Sequence, residues 1–186
     1  MRRWRVTAAD ADSLAVVRRA AYLQGMRIIG IDPGLNVTGY GVVEVQGDTC
    51  RHLHHGVFRT RPSDGLAARL VVIRDGVRDA ARELAVDAGA VESSFVAANP
   101  RSALLLGHAR AAAILGLADA GIPVHEYAPN LVKQTVAGYG HGEKSQVAQM
   151  VRLQLGLATP PTPADAADAL AIAITHWAHS RLTARL

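Results

Sequence analysis

The sequence predicts a single α/β domain built on a mixed sheet, and three observations predict it. Three short apolar segments come first, helical periodicity then alternates with further short strands, and Gly or Pro punctuates nearly every join. A chain of 186 residues is long enough to bury a proper core.

The elements follow in order. Arg27–Asp32 is an apolar run stopped by Pro33-Gly34, because proline cannot continue a central strand. Gly39–Val45 and His52–Thr60 read as two further strands, with Gln46-Gly47-Asp48 as the hairpin turn between them. Leu66–Leu84 has a helical period that sets Leu66, Leu70, Ile73, Val77 and Leu84 near one face. Ala88–Glu92 is a fourth strand. Asn99 then reads as an N-cap with Pro100 at the first helical position, opening an Ala/Leu helix that runs to Ala120 and stops at Gly121. Pro123–Tyr127 is a fifth strand. Asn130–Val136 and Glu143–Leu155 read as helices, the second closed by Gly156. Thr162-Pro163 repeats the cap-then-proline device and starts a last helix to about Leu182.

Residues 1–25 differ from the rest. They lack the apolar core of a signal peptide, and Asp10 and Asp12 count against a transit peptide. Met26 directly precedes the strand pattern, so the stretch is expected to be either the product of an upstream start or a poorly ordered basic tail, leaving 26–186 as one domain. No run of 18 apolar residues is present, which excludes a membrane-spanning helix. The lone Cys50 excludes an internal disulfide and fits a reducing cytoplasm.

Charge needs dissection. The formal net charge is +4, but Arg2, Arg3, Arg5, Arg18 and Arg19 against Asp10 and Asp12 supply +3 of it. The remainder holds 15 basic and 14 acidic residues, too even for a generic basic binder. If four of those acids surround metal, the rest stands at 15 against 10, leaving a surface suited to phosphates.

Four acids stand where a sheet could gather them. Asp32 ends the first strand and Glu92 ends the fourth. Asp165 and Asp168, spaced i,i+3, share one face of the last helix among alanines small enough to let it approach a sheet. Each has a plain alternative: a turn residue for Asp32, an exposed strand end for Glu92, a capping-box variant for Thr162-x-x-Asp165. Together they match what magnesium requires, since it takes hard oxygen ligands from a few carboxylates plus substrate phosphate. Two such ions about 3.5–4 Å apart activate water and stabilise the leaving oxygen of a phosphodiester. A zinc site has less to build on. Strict alternation puts His52 and His54 on one face of their strand with His55 on the other, and His176 and His179 are expected to serve packing or surface roles.

Five ordered blocks carry a family resemblance. They are Gly30-Ile31-Asp32-Pro33-Gly34 followed by Thr38-Gly39-Tyr40-Gly41-Val42; Val91-Glu92-Ser93-Ser94-Phe95; Ser102-Ala103-Leu104 with Leu106-Gly107-His108-Ala109-Arg110; Val132-Lys133-Gln134-Thr135-Val136; and Ala164 to Ala173 with Thr175-His176. In these the chain resembles the bacterial RuvC Holliday junction resolvases, from Met26 to about His179.

The resemblance implies a ribonuclease H-like fold with a five-stranded mixed sheet flanked by helices. It also implies a cytoplasmic homodimer that makes paired, symmetric, metal-dependent nicks in four-way junction DNA during homologous recombination and repair, leaving 5′-phosphate and 3′-hydroxyl ends. Two Mg2+ ions per site are implied, with Mn2+ able to substitute, and a branch-migration partner of the RuvA and RuvB kind. Asp32, Glu92, Asp165 and Asp168 match the family's four metal-binding acids, with Asp32 expected to bridge both ions. Phe95 matches an aromatic that stacks on a base at the junction centre; Lys133 and Lys144, the chain's only lysines, match basic residues near the scissile backbone. Ala98 and Leu105 stand where lysine is common, so the arginines of the leader or Arg101 are expected to compensate; Arg101 and Arg110 are expected DNA contacts. Ala111 replaces a common glycine at the expected dimer interface.

Three rivals remain. The Gly-Ile-Asp-x-Gly opening also resembles the phosphate loop of actin-like ATPases and sugar kinases, which need two lobes that one domain of this length cannot supply. A nuclease of the same fold could act on RNA or simple branched DNA. A junction-binding protein that does not cut is disfavoured by four retained acids, since needless negative charge hinders phosphate binding.

Overall fold

The computed structural model of the chain describes residues 25–93, 99–138 and 144–184. Among the described residues ten elements follow one another: β1 (Met26–Asp32), β2 (Val37–Gln46), β3 (Thr49–Arg59), α1 (Leu66–Glu83), β4 (Ala88–Glu92), α2 (Pro100–Asp119), β5 (Val124–Tyr127), α3 (Pro129–Ala137), α4 (Lys144–Gln154) and α5 (Ala164–Ala184). The strands form one sheet in the order β3-β2-β1-β4-β5. β2 runs antiparallel to both its neighbours, whereas β1, β4 and β5 are parallel. The expected mixed five-stranded sheet is therefore the one formed. The carboxyl ends of β1, β3, β4 and β5 all reach the same edge.

Alternation along the strands divides the core in two. Ile28, Val43, Val45 and Ala90 point to the face covered by α3, α4 and α5, while Ile29, Ile31, Val42 and Val91 point to the face covered by α1 and α2. All eight are fully buried. Glycine decides how closely α5 lies on its face. A Cβ at Gly30 would stand 2.0 Å from the Ala169 carbonyl oxygen, and one at Gly41 would stand 2.5 Å from the Leu170 side chain. Any side chain at these positions would push the helix off the sheet. With alanines on the helix and glycines on the strands, α5 comes into backbone contact with β1 and β2.

Local chemistry behaves largely as the residues dictate. The Asn99 side chain accepts from the Ser102 N–H at 2.9 Å, with Pro100 opening α2. Gly47, Gly121 and Gly156 adopt positive φ at the turn and the two helix ends assigned to them. Within α1, Ile73 and Val77 are buried as expected, but Leu66 is exposed because the helix begins over an exposed corner, residues 61–68, before it meets the sheet. The last helix starts at Ala164, one residue later than the cap-then-proline reading. The Pro163 carbonyl accepts from the N–H groups of Ala166 and Ala167 there.

The histidines need a correction. Register slips between Val42 and Val43, where His54 pairs with Val42 and His52 with Val43, so Leu53 is an extra residue in β3. That bulge breaks the alternation. His52 and His55 share the α5 face, Nε2 to Nδ1 at 2.7 Å, and His54 stacks on Tyr40 across the other face. Among the described residues no helix is long and apolar enough to cross a membrane.

Candidate active site

Strand register brings the first two acids together. β1 and β4 pair in parallel from Ile28 with Ala88 to Ile31 with Val91, and the next step sets Asp32 beside Glu92. Both share the parity of Ile28 and Ala90, so both emerge on the α5 face at the carboxyl edge of the sheet. The other two acids arrive from above. Gly39 is the β2 partner of Asp32, and a Cβ on Gly39 would stand 2.0 Å from the Asp165 carbonyl oxygen. The first turn of α5 is thereby seated on the strand next to Asp32, with Asp168 one turn further along the same face. All four acids are half-buried.

The backbones converge, but the carboxylates do not close on a point. Among the described residues no three His, Cys, Asp or Glu side chains stand close enough to hold one ion. The set nevertheless fits a hard divalent cation in donor chemistry, being oxygen ligands only, half-buried, on two strand ends and one helix.

The loop after Asp32 is firmly held. The fully buried Thr38 donates from its hydroxyl to the Gly34 carbonyl at 2.7 Å. Thr60 does the same to Leu35 at 2.6 Å, and Arg69 of α1 donates to the Leu35 carbonyl, the Thr60 hydroxyl and the Asn36 side chain. Beyond Glu92, Ser93 donates from its backbone to the Tyr127 carbonyl at 2.9 Å. Tyr127, the β5 partner of Glu92, is bonded through its hydroxyl to Nδ1 of the buried His176 at 2.7 Å, and burial pushes its phenol up to about 12. His176 therefore has the packing role expected of it. Arg69 and Tyr127 were missed in sequence, because each acts through partners at least 33 residues away in the chain in its most telling contacts.

The expected DNA-contacting residues divide. Arg101 is exposed at the start of α2. Lys133 is half-buried on α3. Arg110 is partly exposed and engaged within the fold: its Nε donates to the Glu92 carbonyl at 3.2 Å and its terminal nitrogen pairs with Glu126 of β5. The guanidinium bridges the ends of two strands. Phe95 and Ala98, and the side chain of Lys144, lie outside the described residues, as does the stretch 1–24.

Comparison with known proteins fits this geometry. The family described as "Crossover junction endodeoxyribonuclease RuvC" matches residues 28–176. A Burkholderia ambifaria protein of that name is 52% identical over 158 residues, 85% of each chain. A Chloroflexus aggregans protein of the same name is 50% identical over 151 residues, 81% of this chain and 92% of that one. Among solved structures, Thermus thermophilus RuvC in complex with Holliday junction substrate superposes with a TM-score of 0.80 at 40% identity, covering 84% of this chain and 96% of that one.

Proposed function

The chain belongs to the RuvC family of crossover junction endodeoxyribonucleases, metal-dependent enzymes that resolve Holliday junctions, and from that premise we propose how its own residues carry the reaction. Asp32, Glu92, Asp165 and Asp168 are the metal-holding acids. The observation that supports this assignment is their shared emergence on one face at one sheet edge, with the Asp165 peptide seated on the strand partner of Asp32.

Two Mg2+ ions, or Mn2+ in their place, are the ions this oxygen-only donor set would take, Asp32 lying between the sheet acid Glu92 and the helix acids. Held by these residues, the ions would supply a nucleophilic water at neutral pH and charge neutralisation at the leaving oxygen. The protein's share is placement. β1 and β4 fix the direction of two carboxylates, α5 brings two more, and Lys133 and Lys144 serve the scissile backbone as point charges. Oxygen from water bonds to phosphorus, the bond to the 3′ oxygen breaks and that oxygen takes up a proton, leaving 5′-phosphate and 3′-hydroxyl ends. Phe95 stacks on a base at the junction centre, an interaction worth about 1–3 kcal/mol. Arg101 contacts the backbone nearby.

Paired symmetric nicks need two such sites, and a homodimer is the simplest way to oppose them. Support comes from α2, where Leu104 and Leu115 are 62% and 55% exposed on a face shared with Gly107 and Ala111. A Cβ on Gly107 would meet nothing within 4 Å in the single chain, so this glycine serves no contact inside one subunit and leaves room for a second. A cytoplasmic setting and a branch-migration partner of the RuvA and RuvB kind complete the proposal.

The test is cleavage of an end-labelled four-way junction beside matched duplex and RNA–DNA hybrid, with and without Mg2+. Paired, ligatable nicks on the junction alone are expected, with Asp32→Asn and Asp168→Asn binding the junction without cutting it. Hybrid cleavage, or either variant cutting near the parental rate, overturns the assignment.

A further inference from the structure

We propose that the corner between β3 and α1 is a second phosphate-contacting surface, carried by Arg59 and Arg61 and braced by Arg69, which receives the backbone of a junction arm beside the catalytic edge. The inference rests on the resolvase reading above.

Position comes first. β3 ends at the same edge as Asp32, and Arg59 pairs with Val37. Two residues earlier Val57 pairs with Gly39, the seat of the Asp165 peptide. Alternation puts Arg59 and Val57 on one face, so the Arg59 side chain leaves the sheet on the side that carries the four acids. Strand spacing and rise place the Arg59 backbone about 8 Å from Gly39. A strand of DNA lying over the acids passes within reach of a guanidinium at that distance.

Charge is the second observation. Arg27, Arg74, Arg78, Arg110 and Arg181 are each paired with a carboxylate. Arg59, Arg61 and Arg69 form no ion pair among the described residues, and neither does Asp64, the one acid between positions 59 and 69. Arg69 donates only to neutral oxygens, those of Leu35, Asn36 and Thr60. Its positive charge is therefore left standing while its hydrogen bonds tie the corner to the loop after Asp32. Arg59 and Arg61, both exposed, project from a base fixed in advance. Guanidinium forks suit phosphate oxygens, and four carboxylates next door make unneutralised cations necessary if a polyanion is to settle there. Arg51, exposed at the opposite end of β3 and also without an ion pair, supplies the control.

The experiment is a junction-binding titration of the full chain between 50 and 200 mM salt, in EDTA so that no cutting intervenes. Each phosphate contact contributes about 0.9 to the slope of log affinity against log salt. Arg59→Ala/Arg61→Ala is expected to lower that slope by about 1.8, so that its deficit against the parent shrinks roughly tenfold across the range. The melting temperature should not move. Arg51→Ala should keep the parental slope, and Arg59→Lys/Arg61→Lys should restore it. A double alanine variant with the parental slope overturns the proposal, as does an equal loss in Arg51→Ala. Running linear duplex alongside separates the two readings. A parent with no preference for the junction refutes resolvase activity, while the slope difference still reports the arginine contact.

Discussion

Gly39→Ala tests whether the seating of α5 on β2 sets the active site. The added Cβ would stand 2.0 Å from the Asp165 carbonyl oxygen, 2.4 Å from its carbon and 3.1 Å from the Ala166 nitrogen. All three are backbone atoms, so no change of rotamer relieves the contact. Carbon and oxygen come to rest about 3.3–3.6 Å apart, and the first turn of α5 must therefore withdraw by more than about 1 Å. Overpacking of this kind costs about 1–3 kcal/mol, or roughly 2–12 °C of melting temperature for a chain of this size. The catalytic cost is larger in proportion, because a misplacement of about 1 Å can slow a reaction about 100-fold. Single-turnover cleavage at saturating protein is expected to fall by about that factor, while junction affinity in EDTA stays within a few-fold of the parent. Gly65→Ala is the control, since its Cβ meets nothing within 4 Å. A Gly39→Ala protein that melts and cuts like the parent would refute the reasoning at its root: Asp165 would not depend on β2 for its position.

Three shorter predictions follow. Arg110→Ala should slow cleavage through the freed Glu92 strand end yet leave the salt slope of junction binding unchanged; a slope lower by about 0.9 would restore Arg110 as a DNA contact. Burial holds both His52 and His55 below the ordinary histidine value of 6.5, with His55 and then His54 adding to the effect on His52, and His54 adding to that on His55. The unfolded chain therefore takes up protons first as pH falls through 6.5, and folding stability should decline from there until the folded pair is protonated as well. A His52→Gln/His55→Gln variant should show a flatter dependence of melting temperature on pH below neutrality, and an unchanged profile would count against the half-buried pair. Burial pushes the Cys50 thiol up to about 12, so at pH 8 the folded protein should react with a thiol reagent far more slowly than the unfolded chain; immediate stoichiometric reaction would contradict it.

Much of the fold was legible because its signals are local. A strand that ends at Pro-Gly, a cap followed by proline and a glycine at a helix end each act within four or five residues, and Ala88–Glu92 was bounded to the residue. What escaped depends on pairing. The bulge at Leu53 exists only in the register between β2 and β3, and without it strict alternation groups His52 with His54 instead of with His55. The role of Gly30, Gly39 and Gly41 is likewise invisible until α5 is laid across the sheet, when three glycines spread over 12 positions become one contact surface. The carboxylate partner of Arg110, 16 residues on, likewise lies on a strand adjacent only in space.

The same distinction explains why net charge was a poor guide to function here. A total of +4 says little, since most of it comes from residues 1–25 and the remainder is nearly balanced. What matters is where cations are neutralised. On α1 and α2, Arg74, Arg78 and Arg110 are each matched to a nearby carboxylate and contribute little field at a distance. At the catalytic edge the acids are gathered instead at two strand ends and one helix start, and the arginines of the β3–α1 corner form no ion pair among the described residues. A nuclease of this design must draw a polyanion onto carboxylates, which calls for separated charge, acids at the centre and bare cations at the rim. Redistributing the same residues into local pairs would keep the composition, the pI and much of the stability, and remove the reason for DNA to bind.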